Sequence, residues 1–91
     1  MSIADTIRRK LVAALQPTRL ELHDESARHH GHAGWRPGGE THFRLTVVSE
    51  AFAGKSRVAR QRLVYDLLAE EMRERVHALA LTTRTPAEDK A

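Results

Sequence analysis

Thr41-His42-Phe43-Arg44-Leu45-Thr46-Val47-Val48-Ser49 is the stretch on which the fold turns. Apolar and polar residues alternate along it, so Phe43, Leu45 and Val47 share one face while His42, Arg44 and Thr46 share the other. That is the pattern of a strand buried on one side. Upstream, Thr18-Arg19-Leu20-Glu21-Leu22-His23 repeats the alternation, with Leu20 and Leu22 on the core side. Between the two runs lies Asp24-Glu25-Ser26-Ala27-Arg28-His29-His30-Gly31-His32-Ala33-Gly34, which continues through Trp35 and Gly38-Gly39-Glu40. It is too polar and too rich in glycine for a core, and the simplest arrangement is an antiparallel hairpin with an oversized loop. Loops of that length in compact domains are usually functional or disordered.

Working outward, Ser2 with Asp5 three residues later has the form of a capping box. Ile3, Ile7, Leu11, Ala14 and Leu15 then recur at helical spacing, which predicts a helix over about Ile3 to Leu15, stopped by Pro17. Downstream, Phe52-Ala53-Gly54-Lys55-Ser56 interrupts the strand pattern. Ser56 can cap a helix running to about Arg75, with Leu63, Val64, Leu67, Leu68, Met72 and Val76 on its apolar side. Lys55, Arg57, Arg60 and Arg62 crowd the start of that helix, while Glu70, Glu71 and Glu74 lie toward its end, the reverse of what the helix dipole favours. A basic cluster kept against that bias hints at an anionic partner. Val76 to Arg84 predicts a third strand with Leu79 and Leu81 on one face, ended by Pro86. The order helix, strand, strand, helix, strand predicts an α+β domain, a three-stranded sheet with helices on one face. It should occupy residues 1–86, with 87–91 a frayed polar tail.

Ninety-one residues with 41% hydrophobic content suffice for one modest core and no second domain. The absence of cysteine removes disulfides, thiol catalysis and any all-cysteine metal site, so a thiolate ligand must come from another molecule. The formal net charge of +3 permits nucleic-acid binding without arguing for it. No apolar run reaches membrane-spanning length, and the expected location is the cytoplasm. No nucleophile-and-base set, carboxylate pair or phosphate-binding loop is visible, which argues against an enzyme.

Imidazole suits borderline metals and titrates near neutral pH, and four of the six histidines fall between Asp24 and Phe43. Three of them, His29, His30 and His32, lie within four positions and read equally as a solvated loop or as ligands, including ligands of a simple divalent metal. His77 reads on its own as a buried histidine satisfied by a carbonyl. His23 and His42 read as exposed strand residues. Trp35 either packs on the sheet edge or anchors a partner.

The chain resembles the BolA family over nearly its whole length. The resemblance is carried by Asp24-Glu25-Ser26, His29, Gly31-His32-Ala33-Gly34, Gly39-Glu40-Thr41-His42-Phe43, Val48-Ser49, Phe52 with Gly54, Arg60 through Tyr65, and Val76-His77-Ala78-Leu79. It implies a fold related to the type II KH domain, α-β-β-α-β at heart. It also implies a non-enzymatic protein, monomeric or weakly dimeric alone, that pairs with a monothiol glutaredoxin. The two share a [2Fe-2S] cluster in iron–sulfur cluster trafficking and iron homeostasis. Some bacterial members are described as transcriptional regulators. Position by position, the family's C-terminal histidine ligand falls on His77 and its hairpin-loop ligand on His29, with His32 as a competitor. Two positions depart from the family pattern: Gln61 replaces a histidine common in the second helix, and His30 replaces an alanine. Lys55-Ser56-Arg57 after Gly54 occupies the place of the KH Gly-x-x-Gly clamp without its second glycine, so the DNA signal rests on Lys55, Arg57, Arg60 and Arg62 alone.

Overall fold

The computed structural model describes residues 2–25 and 41–91. The first helix, α1, spans Ile3–Leu15 and is capped as the sequence predicts, the Ser2 hydroxyl accepting from the Asp5 N–H at 3.0 Å. At its other end Gln16 takes a left-handed conformation (φ 46°) and donates to the Val12 carbonyl at 3.1 Å, and Pro17 bars continuation. Strands β1 (Arg19–Asp24) and β2 (His42–Val48) pair antiparallel, with Leu22 opposite Leu45. A 3₁₀ turn over Glu50–Phe52, helix α2 (Arg57–Leu67) and helix α3 (Ala69–Glu74) then lead to β3 (Ala78–Arg84), which lies parallel to β2. Parallel pairing needs such a crossover, because a tight turn cannot reverse the chain twice. The strand order is β1-β2-β3.

Phe43, Leu45 and Val47 of β2 face Ile7, Leu11 and Leu15 of α1 and Val64 and Leu68 of the crossover helices, all of them buried, with Leu20, Leu79 and Leu81 half-buried around them. Burying apolar area at roughly 25 cal/mol per Å² is the main term holding helices to sheet. Ser49 ties three elements at one end of the sheet. Its hydroxyl donates to the Leu15 carbonyl at 2.6 Å and accepts from the Ala51 N–H at 3.1 Å, while its own N–H donates to the Arg84 carbonyl at 2.9 Å.

Two sequence expectations are corrected. The long helix predicted to about Arg75 breaks at Leu68, where φ −105° and ψ 16° leave helical values. The hydrogen bonds survive the bend, Leu68 donating to Val64 at 3.1 Å and accepting from Met72 at 2.9 Å. Beyond it Glu71, 5% exposed, receives Lys10 of α1 at 2.9 and 2.8 Å, and Val76 enters the core. Neither glycine nor proline marks the break. The expected polar tail is also folded: Pro86–Lys90 forms a short helix, α4, with Thr85 and Glu88 making a reciprocal capping box and Pro86 in its first turn. The signal Thr85-Pro86-Ala87-Glu88 was present in the sequence, but the proline read there only as a stop.

Candidate functional site

The two ends of the histidine-rich segment meet at one corner of the sheet. Glu25, just after β1, donates its N–H to the His42 carbonyl at 2.7 Å. Thr41, where the chain returns, accepts from the N–H of His77 at 2.7 Å and from that of Ala78 at 3.3 Å. His77 follows buried Val76 and immediately precedes β3, so a core anchor and the Thr41 carbonyl fix its backbone while its side chain is exposed. That exposure rules out the core-histidine reading. His29, His30, His32 and Trp35 lie outside the described residues.

His42 corrects another expectation. It is only 8% exposed, and its ring centroid is 6.2 Å from that of His77 at an interplanar angle of 33°. Its Nδ1 shares a 2.9 Å hydrogen bond with the hydroxyl of fully buried Thr41. Strand alternation alone would place His42 in solvent. His23 is exposed, as expected. Among the described residues no group of three or more histidine, cysteine, aspartate or glutamate side chains is placed to hold a metal ion. With no cysteine in the chain, its nitrogen donors fit a cluster only as part of a ligand set whose sulfur comes from outside.

At the other end of the sheet the basic cluster divides. Gly54 takes φ 76°, a conformation glycine adopts without strain, and Ser56 caps α2 by accepting from Ala59 at 3.1 Å. Lys55, Arg57 and Arg62 are exposed. Arg60 is withdrawn from the expected set: its Nε donates to the Lys55 carbonyl at 2.9 Å and its two terminal nitrogens to the Glu88 carboxylate at 2.6 and 3.1 Å. The neighbouring Asp89 accepts from Arg19 of β1 at 3.1 and 2.6 Å and from Arg84 of β3 at 3.5 Å. Arg19 also pairs with Glu21. The Arg60 guanidinium and the Thr85 backbone hold the Glu88 carboxyl down to about 2, and Arg19, helped by Arg84, lowers that of Asp89. The same hydrogen bonds raise the Arg19 and Arg60 guanidiniums further. Sequence reading missed this clasp because its partners are up to 70 residues apart.

A small mixed sheet covered by helices on one face, with an imidazole at one corner and an arginine–carboxylate clasp at the other, defines an α+β domain that presents side chains at its ends. The profile of the BolA-like protein family matches residues 11–88, and the chain belongs to that family. It is 51% identical over 86 residues to SufE-like protein 1, chloroplastic/mitochondrial, of Arabidopsis thaliana, covering 90% of this chain and 23% of that protein. It is 47% identical over 85 residues to the DNA-binding transcriptional regulator BolA of Escherichia coli, covering 93% and 77%. The solved BolA domain of SufE1 from Arabidopsis thaliana superposes with a TM-score of 0.87 at 49% identity, covering 97% of this chain and 96% of that one. The chain spans 54% to 57% of the length of several plant and mammalian BolA relatives. Among the described residues no helix is long and apolar enough to cross a membrane.

Proposed function

We propose that this chain is a binding protein that pairs with a monothiol glutaredoxin and contributes histidine nitrogen to a [2Fe-2S] cluster held between them, in iron–sulfur cluster trafficking. The observation that supports this most is the corner where exposed His77 is hydrogen-bonded through its backbone to Thr41, the residue at which the segment bearing His29 and His32 rejoins the sheet. His77 and one of His29 or His32 are the nitrogen ligands in this reading, and the partner supplies the thiolates. The bound cluster would supply redox and transfer chemistry. This chain's part is to present neutral imidazole, His77 doing so from a backbone tied to the Thr41 carbonyl. Family membership and a relative named SufE-like are consistent with this role. The test is to mix the protein with cluster-loaded monothiol glutaredoxin and record visible circular dichroism. His77→Ala, shown to be folded, is expected to change the spectrum, and a spectrum identical to that of the unmodified protein would refute the ligand assignment.

A second reading, DNA binding, is favoured by the exposed Lys55, Arg57 and Arg62 at the start of α2 and by the name of the Escherichia coli relative. In its present state this surface has three exposed cations, not four, because Arg60 is occupied.

A further inference from the structure

Three guanidiniums from three separate elements, Arg19 of β1, Arg60 of α2 and Arg84 of β3, converge on two consecutive carboxylates of α4. Two of these contacts are forked, each guanidinium meeting both oxygens of one carboxylate. That geometry also fits two oxygens of a phosphate, which is why arginine is the usual residue for either anion. The strand register explains part of the convergence: Arg19 and Arg84 flank Val48 in one row across the sheet, and Asp89 of α4 pairs with both.

α4 itself is poorly anchored. None of its residues is buried, and it spans five residues, far short of what a helix needs to persist unaided. Its capping box and its two acidic side chains hold it in place. Glu88 stays ionised at any physiological pH, so the clasp opens by competition and not by protonation. Exposed Lys55, whose carbonyl Arg60 holds, and exposed Arg57, one turn before Arg60 in α2, lie beside the clasp, so freeing the clasped arginines would enlarge an existing group of cations.

We propose that Arg19, Arg60 and Arg84 form a binding site for the phosphodiester backbone of a nucleic acid, and that Glu88 and Asp89 of α4 occupy it as a displaceable internal anion. The inference builds on the DNA-binding reading and adds a site and a latch to it. An intramolecular carboxylate competes at high effective concentration, so the latched protein contacts phosphates only through Lys55, Arg57 and Arg62. A duplex that displaces α4 gains up to three further contacts.

The test compares the unmodified protein with the Glu88→Gln, Asp89→Asn double variant, using a short fluorescent DNA duplex across a range of salt. The variant is expected to bind more tightly and, with Arg19 still paired to Glu21, to release about two more counterions, so that between roughly 50 and 200 mM salt its affinity falls about 12-fold more steeply. Adding Arg60→Ala to the variant should return part of that slope, whereas Arg60→Ala in the unmodified protein should leave the slope nearly unchanged. If the unmodified protein and the variant bind with equal affinity and slope, the latch is wrong while DNA binding stands. If neither binds, both the reading and the inference fall. Equal gains for the duplex and for poly-glutamate would overturn the phosphodiester assignment in favour of an acidic protein. Should the variant not fold, backbone resonances of the unmodified protein decide the matter. The duplex should shift the Thr85–Asp89 amides, and shifts confined to 55–62 would overturn the proposal.

Discussion

The two ends of β2 are built from opposite materials. At the His42 end, backbone hydrogen bonds from Glu25 and His77 and the buried Thr41 side chain fix the chain and leave the His77 imidazole exposed. At the Val48 end, no residue of α4 is itself buried, and the helix is held by its capping box and by ion pairs to Arg19, Arg60 and Arg84. A ligand to a shared metal gains from a backbone that does not move, since disorder in the donor is lost affinity. A reversible cover gains from contacts that another anion can replace. The contrast predicts that perturbations at the first end are expensive and local, and that those at the second are cheap and sensitive to solution conditions.

The largest effect should come from the residue midway between the ends. Leu45 is fully buried at the centre of β2, in contact with the core from α1 and the crossover helices. Leu45→Ala should cost about 2–5 kcal/mol, lost apolar burial plus the residual cavity. In urea denaturation probes in β1 and β3 should report one transition, since both strands pack on the same core. Two separated transitions for these strands would break the idea of a single cooperative unit.

A smaller loss isolates the His42 end. Thr41→Val keeps the shape but removes the hydroxyl paired with His42 Nδ1, deleting a hydrogen bond to a nearly buried ring. The expected destabilisation is about 0.5–1.5 kcal/mol. Ring resonances of His42 and His77 should shift while the α4 amides stay in place. Movement of the α4 amides to the same degree would show that the ends are coupled.

How far this contrast was legible in the sequence follows from its physics. Strand alternation placed Phe43, Leu45 and Val47 correctly because period two is set by the pleat itself. It failed at His42, which is 8% exposed beside the Thr41 hydroxyl and the His77 ring, neighbours that strand period does not encode. The capping signals of Ser2 and Ser56 are local and were legible. The capping box at Thr85 is equally local, but Pro86 is ambiguous, since proline both ends a strand and is at home in a first helical turn. Neither the bend at Leu68 nor the convergence of Arg19, Arg60 and Arg84 has a local signature, since each exists only once the sheet register brings distant residues together. His77 divides in the same way: its candidacy rests on the family resemblance, and its exposure comes only with the fold.

The smallest effect is acid and salt sensitivity confined to α4. Glu88 has its carboxyl lowered from 4.5 to about 2 by the Arg60 guanidinium and the Thr85 backbone, and Asp89 is lowered by Arg19 and Arg84. A carboxyl whose folded value is depressed contributes stability that is fully present above its unfolded value and is lost as pH falls through its folded value. For Glu88 that window runs from about 4.5 down to about 2. Hydrogen exchange of the α4 amides should therefore be flat from neutral pH to the top of the window and lose protection within it, after correction for intrinsic rates. Salt near 1 M, where the screening length is about 3 Å, should loosen the same amides at neutral pH. Glu88→Gln should remove most of the acid response, because an amide does not titrate, while amides of β2 keep their protection. Protection of α4 that ignored both acid and salt would mean that this helix is held by packing, and the distinction between a fixed end and a displaceable one would disappear.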